Sequence, residues 1–405
     1  MMQTTMRPEF NSNKEGCLAH ASMRVCVVRS QGVIAPYIMD AYSRAFRGLK
    51  AKIRIFDVAA PEAAQGQMQE RLHALVAWRP TLAVCYGYTG LALSGYFRSA
   101  GIPLVLLFYD SPFGLPWNQY QECMKELLAA PDLYYCFVWD RAYLEALQKL
   151  GVRHVFPIML AADTSIFRPR NPAYRFDVSF AGRMGNLDDL RGLRRRAANP
   201  RTNEFAEKLI DRKIASPAAP LQKLWADLAR ESFPELALDW SRPGMGELHL
   251  HIHREGSIRM RQAMLGSIHS AKIDLFGVDW NLPGATIHGG VDYVHDLPAL
   301  YADSRINVNI TAPQLEYSVN NRIFDVGAAG GFLLTDYRED LQQIFSGFDK
   351  IAYGNGEELD SKVAYFLAHE SERLELAAAL QKEIVEHHTY GHRALQILQS
   401  MTETA

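Results

Sequence analysis

Runs that are apolar at nearly every position, each followed by a helix-like stretch, recur twice along this chain and constrain its fold more than any other feature. From Met23 to about Ile158 the strand candidates are Arg24–Arg29, Lys52–Val58, Thr81–Tyr86, Pro103–Tyr109, Leu133–Trp139 and His154–Pro157. Helical patterns at Pro36–Leu49, Glu62–Ala77, Gly90–Ser99, Gln119–Ala129 and Arg141–Leu150 lie between them. Strands apolar throughout, rather than at every second residue, are buried on both faces, which calls for a parallel sheet covered by helices above and below. The rhythm restarts at Asp177–Ala181 and continues through Lys272–Phe276, Thr286–His288, Asn307–Ile310, Phe332–Thr335 and Lys350–Tyr353.

With 405 residues the chain exceeds one ordinary core. The expected fold is α/β: two Rossmann-like, doubly wound domains facing a cleft, with ligands at the C-terminal ends of the strands. Residues 1–22 read as a polar, disordered lead-in, 23–165 as the first domain and 166–384 as the second. The Pro-punctuated stretch Phe156–Pro172 supplies the linker. The interval of about 187–270 is too long for one connection and mostly helical in pattern, so it reads as an insertion. Residues 385–405 form a C-terminal helix, free to pack back on the first domain.

Composition narrows the function. Hydrophobic content of 48%, 22% charged residues and a formal net charge of −2 describe a globular protein with no electrostatic case for nucleic acid. The five cysteines include no C-x-x-C pair, and Cys26, Cys85 and Cys136 sit inside apolar runs, as in a reduced, cytoplasmic protein. The longest apolar runs, such as Ile102–Tyr109, are too short to span a bilayer, which leaves at most peripheral membrane contact. Oligomeric state is not specified by the sequence.

The 32 residues from Arg305 to Asp336 carry the strongest functional signal. A strand-like run leads into a turn of Ser318, Val319, Asn320 and Asn321, then into a helix opened by Arg322, with Asp325 on its first turn. Backbone N–H groups, amides and a guanidinium at a helix start beside strand ends suit a diphosphate. A carboxylate one turn in is wrong for phosphate and right for ribose hydroxyls. The plain alternative is a Ser/Asn cap followed by a surface Arg; together the groups favour a nucleotide-sugar site.

The motifs LYADSRINVNI (Leu300–Ile310), SVNNRIFDVGAAGGFLLTDYREDL (Ser318–Leu341) and HHTYGHRALQIL (His387–Leu398) resemble the CgeB-like (spore-protein-type) glycosyltransferases of the GT-B superfamily. DVSFAG at Asp177, IDLFG at Ile273 and FPIMLAADTSIFRP before them extend the likeness over most of Asp177–Leu398. The resemblance implies hexosyltransferase-type transfer of a sugar from a nucleotide donor, most simply UDP-linked, to a glycan, protein or small-molecule acceptor, with retention of configuration. The nucleotide sugar is then a co-substrate and no cofactor is required. Related enzymes place two glutamates, E-x7-E, at the donor. Here Asp325 stands at the second acid and Glu316 lies one position out of register for the first, the sugar contact. A sugar-nucleotide epimerase or hydrolase, or a non-catalytic nucleotide-sugar-binding assembly protein, would share the same donor site.

Other candidates follow. Gly182 and Arg183 after the first strand of the second half offer close backbone approach and a phosphate fork, or only a solvated loop. Tyr293 would stack on a base or cover a helix start. Asp110, closing the run LVLLFYD, is a candidate base for an acceptor hydroxyl or a turn cap. Phe113, Trp117 and Tyr120 would stack on an acceptor sugar or pack against the next helix. The turn Ser30–Pro36 is a further approach to backbone. His249, His251 and His253 share a face only on a strand, whereas their flanks read as helix, where only His249 and His253 align; zinc is not expected there. No Asp-x-Asp occurs, consistent with metal-independent chemistry. The basic run Arg191–Arg201 would attract an acidic polymer or lipid, or form a solvated face.

Overall fold

A computed structural model describes residues 23–30, 32, 34–58, 68–115, 117–185, 199–238 and 246–404. The lead-in 1–22, the start of the second predicted helix, most of the basic run and the side chain of Trp117 lie outside the described residues.

Two six-stranded parallel sheets form the frame. The first contains β1 (Arg24–Arg29), β2 (Lys52–Asp57), β3 (Leu82–Tyr86), β4 (Leu104–Phe108), β5 (Tyr134–Val138) and β6 (His154–Pro157), in the order β2-β1-β3-β4-β5-β6. The second contains β7 (Phe176–Ala181), β8 (Ile273–Phe276), β9 (Thr286–His288), β10 (Ser304–Asn309), β11 (Leu333–Asp336) and β12 (Ala352–Tyr353), in the order β12-β11-β10-β7-β8-β9. The strand order reverses between β1 and β3 in one sheet and between β7 and β10 in the other. These reversals open a crevice at the carboxyl ends, the place where such sheets receive ligands. The strands β4 and β5 are buried at every residue, as their unbroken apolar runs require.

Helices α1 (Ala35–Gly48), α2 (Met68–Ala77), α3 (Ser94–Ser99), α4 (Trp117–Ala129) and α5 (Ala142–Lys149) cover the first sheet. A 3-10 turn, Gly87–Leu93, replaces the start of the helix expected from Gly90. Between β7 and β8 come α6 (Pro200–Ala215), α7 (Leu221–Ser232) and α8 (Gly246–Gly266). The short helices α9 (Leu297–Asp303), α10 (Arg322–Ala328), α11 (Leu341–Ile344) and α12 (Phe348–Ile351) belong to the second sheet. The chain ends in α13 (Gly356–Ala368), α14 (Glu370–His387) and α15 (Tyr390–Glu403).

The insertion departs from the second sheet but shares its core with the first. Phe205, Leu209, Trp225, Phe233 and Ile252 join Phe113, Tyr120, Tyr134 and Tyr143 in one apolar cluster. At the start of α8 a Cβ on Gly246 would lie 2.1 Å from the carbonyl of Leu115, so only glycine fits that contact. Helix α15 crosses back and packs on α1. Its buried Arg393 donates to the carbonyls of Met159 and Leu160 in the linker (3.0 and 3.1 Å). Among the described residues no helix is long and apolar enough to cross a membrane.

Candidate active site

The second sheet's reversal point is built around Arg322. Its guanidinium donates to the carbonyl of Ala181 at the end of β7 (2.6 Å) and to Asn309 Oδ1 at the end of β10, and lies 4.8 Å over the ring of Phe180. Asn320 Nδ2 donates to the same Asn309 oxygen (2.7 Å), while Asn320 Oδ1 accepts from the N–H of Arg322 (3.1 Å), the first residue of the helix. Asn309 Nδ2 in turn donates to Thr335 Oγ1 on β11 (2.9 Å). The network holds the guanidinium in place through bonds to β7 and β10.

Around it the β7 and β8 turns pass at contact distance. A Cβ on Gly277, whose φ is +149°, would lie 2.3 Å from Gly182 O, and Trp280 Nε1 donates to that oxygen (2.7 Å). Arg183 extends from the turn, exposed, with Nε donating to Asp279 (2.9 Å). Arg261, on α8, donates to the carbonyl of Arg183 and lies 5.9 Å over the ring of Phe180. Burial, then the neighbouring Arg322, pulls the Arg261 guanidinium down to about 10. Three arginines thus surround one strand end. The sequence reading missed Arg261, because nothing local marks an arginine on an insertion helix some eighty residues downstream as belonging to this turn.

Asp325 is buried at 1% exposure, with Oδ2 accepting from Asn321 Nδ2 (2.8 Å) and Tyr293 OH (3.1 Å). Burial pushes its carboxyl up to about 7, against the lowering effect of those donors. Tyr293 does not present a free face on both sides. It stacks on Tyr37 of the first domain (4.7 Å) and meets Phe167 edge-on, so it closes the hinge side of the cleft. Ser318 and Val319 are buried, and Ser318 N is taken by a carboxylate of the first domain.

That carboxylate is Asp140, two residues past β5 and not anticipated from sequence. Its Oδ2 accepts from three successive backbone N–H groups, Glu316, Tyr317 and Ser318 (2.6, 2.9 and 3.0 Å), and its Oδ1 from Ala142 N (2.9 Å). The N–H groups expected to meet phosphate before the helix are therefore directed across the cleft instead.

Glu316 requires a correction. Its carboxylate, 1% exposed, accepts from Gln222 N through both oxygens (3.2 Å each) and so caps α7 of the insertion. Burial pushes its carboxyl pKa up and pulls that of the Lys213 ammonium, which lies within electrostatic reach, down. The insertion packs on this residue and buries its carboxylate. Phe113 and Tyr120 are corrected likewise: Phe113 packs against Tyr120, Tyr143 and His249 inside the shared core, because the insertion covers that side of the first domain.

Asp110 joins the two domains. It is exposed at the end of β4, with Oδ2 accepting from Tyr86 OH (2.7 Å) and Oδ1 from Gln314 Nε2 of the second domain (2.9 Å). Surrounding protein raises its carboxyl above the ordinary range although solvent still reaches it; the two donors partly oppose the rise. His249, His251 and His253 lie buried along α8, a helix as their flanks indicated, and burial drives His253 down to about 3. Among the described residues no cluster of three or more His, Cys, Asp or Glu is placed to hold a metal ion. A cavity of about 620 Å³ lies away from the cleft, between α5 and α7, floored by Trp225 and Phe233.

Residues 254–399 match the family described as Glycosyl transferase-like. No curated protein matches the chain. Among solved structures, the chain is similar to Anabaena HepE in complex with UDP and glucose (13% identity, TM-score 0.50, 94% of this chain and 100% of that one). It is also similar to sucrose-phosphate synthase from Thermosynechococcus elongatus (12%, 0.51, 94% and 99%) and to a glycosyltransferase from Rickettsia africae (9%, 0.51, 94% and 98%). At these identities the likeness is one of fold. The chain therefore has the two-domain fold of the GT-B glycosyltransferase superfamily, and its residues 254–399 match the glycosyl transferase-like family.

Proposed function

We propose that the protein transfers a sugar, of hexose type, from a nucleotide-sugar donor to a hydroxyl-bearing acceptor, in the manner of the CgeB-like branch. The observation that carries the reading is the trio Arg183, Arg261 and Arg322 around the β7 strand end, at the reversal point of the second sheet. Positive charge fixed there meets a diphosphate as it leaves and stabilises the charge that develops on it. Asp325, one turn into α10, is the ribose partner, and Tyr293 bounds the pocket on the hinge side. UDP is the favoured nucleotide, since HepE of the same fold is seen with UDP.

On the opposite wall Asp110 is the acceptor-side base. It follows a strand into the cleft, it is reached by solvent, and burial raises its carboxyl above the ordinary range, the direction that favours proton acceptance. A base on the far side of the donor fits in-line displacement, so inversion replaces the retention that rested on Glu316. The chemistry needs no metal when arginines carry the diphosphate charge. The acceptor is a glycan, protein or small molecule, and the site is open to cytoplasmic substrates.

The test is a panel of nucleotide sugars, with and without envelope glycans, followed by nucleotide release and by anomeric analysis of the product. Release that depends on acceptor supports transfer. Release without acceptor indicates a hydrolase, binding without release indicates an assembly protein, and no binding by any nucleotide sugar removes the reading.

A further inference from the structure

The loop from Gln314 to Ser318 belongs to the second domain, yet the first domain holds nearly all of it. Asp140 takes the N–H groups of residues 316–318 on one oxygen. Its neighbour Arg141 donates to Asp340 Oδ1 (2.8 Å) and to Glu339, and lies 4.5 Å over the ring of Tyr317. Tyr143 OH donates to the carbonyl of Gln314 (2.7 Å), and Asp340 N donates to the carbonyl of Tyr317 (3.0 Å). Successive N–H groups converging on one point make a backbone nest, a concavity built for an anion. Here an aspartate of the other domain fills it, 1% exposed, while its second oxygen accepts from Ala142 N at the start of α5.

Only three residues, Val319 to Asn321, separate the last nest N–H from Arg322. Val319 is fully buried, so the connection has little slack, and each residue spans at most about 3.5 Å. A displacement of the nest is passed to the helix that carries Arg322 and Asp325. We propose that Asp140 is a positioning residue for the nucleotide-sugar site, coupling contact between the domains to the placement of Arg322 and Asp325. The assignment rests on the glycosyltransferase reading above. It gives the first domain a hand in donor binding, although the donor groups themselves all belong to the second.

Asp140→Asn separates this role from simple support. An amide keeps one acceptor oxygen, and turning it to the nest sets its NH₂ against the N–H of Ala142, donor against donor. Charge-assisted bonds are about twice as strong as neutral ones. We expect the KM for the nucleotide sugar to rise about tenfold with the KM for acceptor unchanged, and hydrogen exchange at the amides of residues 316–318 to accelerate. A variant that only loses folded protein would lower kcat and leave the donor KM alone. Arg141→Gln, at a side chain 37% exposed, loosens the same loop from its other side and should shift the donor KM in the same direction by a smaller factor. A folded Asp140→Asn with wild-type donor KM overturns the assignment. If that variant does not fold, an unchanged donor KM in Arg141→Gln overturns it. Failure of the wild-type protein to bind any nucleotide sugar removes the glycosyltransferase reading itself, a result separable from either.

Discussion

The two sheets are built alike and use their strand ends differently. At the reversal point of the second sheet the polar side chains bond to one another: Arg322, Asn309, Asn320 and Thr335 form a continuous network. At the carboxyl ends of the first sheet the polar groups reach outward to the other domain. Asp110 accepts from Gln314, Asp140 from the loop at 316–318, and Arg141 donates to Asp340. One sheet thus presents a rigid, charged platform, and the other supplies a solvent-reached carboxylate beside the contacts that bring the domains together. Under the proposed glycosyl transfer, rigidity would suit the side that stabilises a leaving diphosphate and access the side that takes a proton from the acceptor.

The comparison breaks most sharply at Asp110. Asp110→Asn keeps the shape and removes the base, so kcat should fall about 10²–10⁴-fold while donor affinity and thermal stability stay near wild type. Steady-state kinetics beside calorimetric donor titration checks this, and a kcat within twofold of wild type would remove Asp110 from catalysis. Next in size is Arg322→Ala. Losing bonds of this charge-assisted kind should weaken nucleotide binding about a hundredfold. The Ala181 carbonyl loses this donor, while Asn309 Oδ1 keeps Asn320 Nδ2, so the stability cost should be about 1–3 kcal/mol. If nucleotide binding survives intact, the platform is structural only.

Arg261→Met keeps most of the apolar stem and removes the charge, and donor affinity should drop about tenfold with little change in melting temperature. An equal loss of affinity for an uncharged nucleoside would show that the effect is packing rather than diphosphate recognition.

The last expectation concerns the pH dependence of stability rather than activity, at Asp325. Its folded carboxyl is raised from 3.8 to about 7, chiefly by burial. The folded state therefore binds the proton more tightly than the unfolded one. Its contribution to stability is greatest below about pH 4, falls as pH rises toward about 7, and is constant above. Asp325→Asn should flatten that part of the stability profile, and chemical unfolding at pH 5 and pH 8 in both proteins measures it. An unchanged slope would mean the carboxyl titrates in its ordinary range.

Much of the fold was legible because it rests on local pattern. The unbroken apolar runs at Leu104–Phe108 and Tyr134–Val138 can be satisfied only by strands covered on both sides, and the structure has them in parallel pairs. Part of the local structure was legible for the same reason: the polar turn runs straight into a helix opened by Arg322, whose N–H donates to Asn320. Glu316 was misread because counting residues from Asp325 ignores what lands on the loop from elsewhere. Its capping of α7 at Gln222 spans more than ninety residues of chain. Phe113 was misread for the same cause, since an aromatic surface cannot reveal from sequence whether a ligand or His249 will cover it.

The sequence by itself determined two parallel α/β sheets, a helical insertion within the second and a polar helix start carrying Arg322 and Asp325, because periodicity and capping act over a few residues. Only the tertiary structure decided that Arg261 completes the charged strand end, that Asp140 claims the loop N–H groups and that Glu316 is buried. Those outcomes depend on which surfaces meet when the insertion packs on the first domain, and burial then sets which side chains keep their charge and which face the cleft.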